Sequence, residues 1–149
     1  MSKRTLILLS GLLALFMLAS FAQAAKPAAT TLPAAEWKAI RGVISNQWKA
    51  FQEDDGAAAF SHAAAPLRKL FGTPSEFLAM VKSAYYPLYR PRSTLFLEPA
   101  VIKGQVIQPL QVVAKDGAVL VALYSMVQSR DKTWKISGCQ MAPSRLEST

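Results

Sequence analysis

The chain has one cysteine and one histidine in 149 residues, and nine acids against seventeen lysines and arginines. A lone cysteine excludes an internal disulfide, so Cys139 is expected to be a sheltered thiol and stability must come from packing. One histidine and one cysteine without zinc-type spacing argue against a metal site. There is no Gly-x-Ser-x-Gly, no phosphate-cradling glycine loop and no dinucleotide fingerprint, so no cofactor is expected. The formal charge is +8, yet no window combines a Lys/Arg run with interleaved aromatics. A nucleic-acid partner is therefore not expected, and the scattered basic residues read as solubility.

What is present begins at the N-terminus. Lys3 and Arg4 precede an apolar run from Leu6 to Phe21, and Ala22-Gln23-Ala24 supplies a small-x-small cleavage pattern. This is the layout of a secretory signal peptide over residues 1–24, with cleavage expected after Ala24. The alternative is an uncleaved anchor, since the run approaches the roughly 17 residues that the shortest spanning helices use. The polar, small residues after it favour cleavage, which would leave no membrane span. Ala25, not a cysteine, follows the cut, which argues against a lipoprotein. The expected location is the periplasm or the outside of the cell. Loss of Lys3 and Arg4 lowers the formal charge from +8 to +6. What remains suits one domain, with no room for a second core.

Residues 25–32 lack periodicity and read as a flexible leader, residues 33–142 as the domain, and 143–149 as a tail. Pro33 fixes φ at a helix start. Trp37, Ile40, Val43, Ile44, Trp48 and Phe51 then recur at spacings of three and four, which predicts a long amphipathic helix. Gly56 is expected to close it in the left-handed region. A shorter helix is expected over Ala57–Ala65, stopped before Pro66, and a further apolar turn over Leu67–Phe71, ended by Gly72. Thr73-Pro74-Ser75-Glu76 has the form of a capping box opening a helix that Tyr86-Pro87 ends.

Beyond Pro87 the period changes to two. Thr94–Ile102, Gln105–Ala114, Ala118–Gln128 and Thr133–Met141 read as strands joined by short turns, hence an antiparallel meander. Pro99 and Pro109 each lack a ladder donor and are expected at an edge or a bulge. Helices followed by sheet is the α+β layout.

Ala50-Phe51…Asp54-Asp55, Phe71-Gly72…Phe77-Leu78…Met80-Val81 and Tyr86-Pro87…Tyr89-Arg90-Pro91, in that order, resemble an uncharacterised bacterial family. Gln111, Tyr124 and Trp134-Lys135-Ile136-Ser137-Gly138-Cys139 complete the likeness, which spans Trp37 to Met141. The family is domain-of-unknown-function family 4864, similar in layout to the nuclear transport factor 2-like, or cystatin-like, cone. The resemblance implies N-terminal helices packed on a curved four-stranded antiparallel sheet, with a pocket at the open end. Such cones include isomerases, dehydratases, cyclases and non-catalytic binding modules, so the fold does not fix the function.

Three sets of residues are candidates for a site. Tyr85, Tyr86, Tyr89, Arg90 and Arg92 form a proline-stiffened stretch that could stack on a ligand and grip an anion, or equally pack as a crossover. His62 with Asp54 or Asp55 is the only ordinary acid–base pair on offer, although Asp55 also suits a helix cap. Pairing Cys139 with His62 would need an activated thiol that nothing local supplies. Trp37, Trp48 and Trp134 read as core, with Trp48 and Trp134 as candidates to line a cavity. The expected role is non-catalytic binding of a small apolar or amphipathic ligand, or of a protein partner. The alternatives are an isomerase- or cyclase-like enzyme and a module that homodimerises through its open sheet face.

Overall fold

A computed structural model describes residues 31–144. The expected signal segment, most of the leader and the last five residues lie outside this range.

Helix α1, Ala34–Gln52, starts after Pro33 and buries Trp37, Ile40, Ile44, Ala50 and Phe51 along one stripe. Trp48 was expected among them but is half-exposed. The stripe is wider than its apolar letters, because Gln47 is buried on it too. The residue that turns left-handed after α1 is Asp54, with φ 55°. Gly56 instead opens helix α2, Gly56–Ser61. Its lack of a side chain eases a close approach: a Cβ there would stand 3.1 Å from the Pro74 carbonyl oxygen. Asp55 caps α2 by accepting a hydrogen bond from the Ala58 amide at 2.9 Å, a contact that stabilises helix starts.

Helix α2 is shorter than expected, because His62–Ala64 turns out to pair with the sheet. The Ile136 amide donates to the His62 carbonyl at 2.9 Å, and the Ala64 amide to the Ile136 carbonyl at 2.8 Å. Pro66 then stands in the first turn of helix α3, Ala65–Phe71, rather than stopping a helix. A first-turn proline loses no intrahelical bond. Gly72 closes α3 at φ 77°. Helix α4, Pro74–Ala84, is capped by the Thr73 hydroxyl, which accepts from the Glu76 amide at 3.2 Å. A one-turn helix α5, Tyr86–Tyr89, leads into the sheet.

The sheet comprises β1 (Ser93–Phe96), β2 (Ala100–Ile102), β3 (Gln105–Val113), β4 (Val119–Gln128) and β5 (Trp134–Pro143). Its order is β1-β3-β4-β5, all antiparallel, with β2 also paired to β3. The expected first strand is thus split at Leu97–Pro99. Pro109 departs from expectation, lying in mid-β3 between β1/β2 and β4, without a bulge in the β3–β4 register. Its carbonyl accepts from the Leu97 amide at 3.0 Å. The missing N–H would point the same way, toward the gap between β1 and β2. The Gln108 side-chain amide fills that role, donating to the Leu97 carbonyl at 2.8 Å. Gln108 is fully buried, and its Oε1 accepts from Arg41 Nε at 3.1 Å.

The helices pack on one sheet face and build two cores. In the first, Trp37, Ile40 and Ile44 meet Leu110, Val112, Ala122, Tyr124, Met126, Trp134 and Ile136. In the second, the far end of α1 (Ala50, Phe51) meets Ala59, Phe77, Val81 and Tyr89. The expected α+β architecture, N-terminal helices on an open antiparallel sheet, is the one observed. Among the described residues no helix is long and apolar enough to cross a membrane.

Candidate functional site

The two cores do not close on each other. Between them lies a cavity of about 170 Å³, open to solvent on one side. Helix α1 contributes Gln47 and Phe51, and α3 contributes Leu67 and Phe71. Helix α4 adds Phe77, Met80 and Val81, while Tyr85 and Leu88 come from the turn of α5. The sheet supplies Tyr124, Ile136, Gly138 and Cys139. No lysine, arginine, aspartate or glutamate lines it.

Polar groups are few, and each has a definite state. Gln47 Nε2 donates to the Ala59 carbonyl at 3.2 Å, tying α1 to α2. The Tyr85 hydroxyl donates to the Cys139 carbonyl at 3.0 Å, pinning the end of α4 to β5. Tyr124 is 1% exposed, and its hydroxyl has no hydrogen-bond partner. Tyr124 and Cys139 stand opposite each other on β4 and β5, so their side chains share a face. Burial pushes the Cys139 thiol up to about 12. Burial also raises the Tyr85 phenol and, more strongly, the Tyr124 phenol, with the neighbouring Cys139 adding to both. All three groups are therefore neutral at physiological pH, and the cavity is uncharged. Cys139 is half-buried, more open than its alternating strand suggested, because its side chain faces the cavity.

The aromatic-basic stretch divides by role. Tyr85 lines the cavity, while Tyr86 is exposed. Tyr89 is buried, and its hydroxyl donates to Asp54 Oδ1. Arg90 turns inward along α1: Nη1 donates to the Phe51 carbonyl at 2.6 Å, and Nη2 lies 3.2 Å from Asp54 Oδ2. Its guanidinium stacks 3.8 Å above the Tyr89 ring, and Lys82 Nζ stands 3.2 Å from Asp54 Oδ1. The Tyr89 hydrogen bond, then the Lys82 contact, hold the Asp54 carboxyl below its ordinary range. Asp54, Tyr89, Arg90 and Lys82 thus form a clamp joining the end of α1 to α4 and α5, and none of the four lines the cavity. Arg92 is exposed at the start of β1; its amide donates to the Val113 carbonyl.

The other candidates lie apart. His62 caps the end of α2 and does not line the cavity. Burial, then the charge of Lys135, lowers its imidazole below the ordinary value. Among the described residues no hydrogen bond or ion pair joins His62 to Asp54 or Asp55. Trp48 borders a separate depression of about 60 Å³ with Ile44, Ser45, Thr94, Phe96 and Leu110, and its Nε1 is buried without a partner. Trp134 belongs to the first core, where Nε1 donates to Glu36 at 2.6 Å. No group of three or more His, Cys, Asp or Glu side chains suited to a metal occurs among the described residues.

Residue-type reasoning overlooked Gln47 and Tyr124. The available signal was phase: Gln47 sits between Ile44 and Phe51 on the buried stripe, and Tyr124 between Ala122 and Met126 on the inward side of β4.

No curated protein sequence matches the chain. Among solved structures, the chain is similar to ActVI-ORFA from Streptomyces coelicolor, solved at 2.1 Å, at 12% identity and a TM-score of 0.49. That alignment covers 78% of this chain and 100% of the other, and is too loose to carry a shared site. The family model is decisive: the domain of unknown function DUF4864 matches residues 33–149, and the chain belongs to that family.

Proposed function

We propose that this protein is an exported binding module that holds a small apolar or amphipathic ligand between its two cores. The observation that carries the reading is the apolar cavity of about 170 Å³ between the two cores, lined by no charged side chain. That volume matches the roughly 150 Å³ of an apolar cavity able to hold benzene. Catalysis is the weaker reading. The titratable groups at the cavity are Tyr85, Tyr124 and Cys139, all kept protonated by burial, whereas a general base works best with a pKa near the ambient pH. His62 and the two aspartates stand elsewhere. Native mass spectrometry of the protein purified from its own host tests the proposal. A retained small molecule, lost on Met80→Trp substitution, supports it; a ligand-free protein that binds nothing from host extract contradicts it. N-terminal sequencing of the same material should begin at Ala25, and a full-length membrane-held species would remove the exported part.

A second reading has its own observation. The outward residues of β3 and β4 include Ile107, Pro109, Val113, Val121 and Leu123, none charged, and no described helix covers them. Elsewhere the chain is strongly basic, so this face is where two copies can meet without facing like charges. The expected partner is a second copy of the chain. Sedimentation should show a dimer that Leu123→Lys dissociates; a monomer at high concentration removes the reading.

A further inference from the structure

Away from the cavity, α1 and the edge strand β1 hold a second set of side chains with a cation among them. Arg41, Ser45 and Trp48 share one face of α1, at spacings of four and three. Thr94 and Phe96 belong to β1. Ser45, Trp48, Thr94 and Phe96 border the depression of about 60 Å³. We propose that this place binds a small monocarboxylate, its carboxylate on Arg41 and its short apolar end in the depression.

Arg41 is held in place from below. It is half-buried, and its Nε donates to Gln108 Oε1 at 3.1 Å. Gln108 is fully buried and fixed in turn, because its Nε2 donates to the carbonyls of Leu97 at 2.8 Å and Pro109 at 2.9 Å. The Arg41 guanidinium stands over the Phe96 ring, 5.9 Å from its centroid, beside the depression that Phe96 lines. Among the described residues neither Arg41 Nη has a hydrogen-bond partner. The ion pairs there join Lys49 to Glu53, and Lys82 and Arg90 to Asp54, so no acid neutralises Arg41. A half-buried guanidinium has given up part of its hydration with no counter-charge in return. Its free Nη1–Nη2 edge matches the two oxygens of one carboxylate. The Ser45 and Thr94 hydroxyls also lack a described partner and can bond the same ligand. One cation calls for one negative charge. A volume of about 60 Å³, far below the roughly 150 Å³ of a cavity that holds benzene, admits a few carbons and no ring.

Isovalerate and its neutral isostere isovaleramide test this at neutral pH, titrated by the backbone amide shifts of Ser45, Thr94 and Phe96. Isovalerate should bind about tenfold more tightly than isovaleramide, the scale of one charge-assisted contact. Arg41→Gln should remove that preference while leaving isovaleramide unchanged. Equal binding of the acid and the amide by the unaltered protein would overturn the proposal, a comparison that does not depend on the variant folding. A preference that survives Arg41→Gln would overturn it too, as would signals that neither probe moves. Sodium chloride at the probe concentration should leave the signals in place. Equal shifts with chloride would mean an adventitious ion only and would contradict a site made for a carboxylate.

Discussion

The two cores of this domain are built from different material and end differently. The sheet-backed core gathers aliphatic residues, Ile40, Ile44, Val112 and Ile136 among them, between one long helix and the sheet. The helical core gathers Phe51, Phe60, Phe71 and Phe77, with ring centroids 5.5 to 6.1 Å apart, and it leaves a gap beside the sheet. The difference follows from geometry. One long helix runs along the sheet, whereas the helical core is assembled from the end of α1 and several separate short helices. The lesson is that one core stabilises the fold, while the cavity belongs to the seam between the two.

Truncation gives the sharpest contrast. Ile44 is fully buried, so Ile44→Ala should cost about 2–5 kcal/mol. Phe71 lies on α3, a helix with no buried residue, and Phe71→Ala should cost only about 1 kcal/mol, near the centre of the range for ordinary substitutions. Chemical denaturation of both variants measures this, and equal losses would erase the distinction between the cores.

Thiol reactivity probes the seam from inside. With the Cys139 pKa at about 12 against an ordinary 9.0, the thiolate is scarce, and the thiolate is the reactive form. Labelling at pH 8 should be about a hundredfold slower in the folded protein than in denaturant. Comparable rates would mean that the cavity is open water rather than an apolar pocket.

The smallest expected effect concerns acid. The His62 pKa is lowered from 6.5 by burial and Lys135, so below that value the unfolded chain takes up its proton first. Stability should therefore decline modestly as the pH falls through 6.5 and not recover on further acidification. His62→Gln should flatten the slope, and an unchanged slope would show that His62 is not sheltered by α2 and β5.

Much of this architecture was legible in the sequence. The stripe from Trp37 to Phe51, the Thr73 cap and the Gly72 stop are local signals, and the structure keeps them. Failures arose where tertiary contact overrode local preference. Gly56 lies close to the Pro74 carbonyl at the start of α2 and makes no left-handed turn. Pro109 is tolerated in a central strand because its missing donor faces a break that Gln108 fills. His62–Ala64 leaves the helix to pair with Ile136. The cavity was the least legible feature, since its wall draws on α1, α3, α4, α5, β4 and β5, and no spacing along the chain reports such an arrangement. The Tyr-Arg stretch stood out by composition, yet Tyr89 and Arg90 are bonded within the clamp with Asp54, and Tyr85 alone of the five reaches the cavity.

The central claim is that the seam is imperfectly filled, leaving an apolar cavity and, beside it, the buried Tyr124 hydroxyl without a partner, at some cost in stability. Thermal unfolding of ligand-free Tyr124→Phe against the unmodified protein tests it most directly. Removing an unbonded buried hydroxyl while keeping the ring should leave the melting temperature unchanged or raise it by a few degrees, the shift expected for about 1 kcal/mol in a domain of this size. A fall of several degrees would show that the hydroxyl is bonded within the ligand-free fold, and would contradict the account.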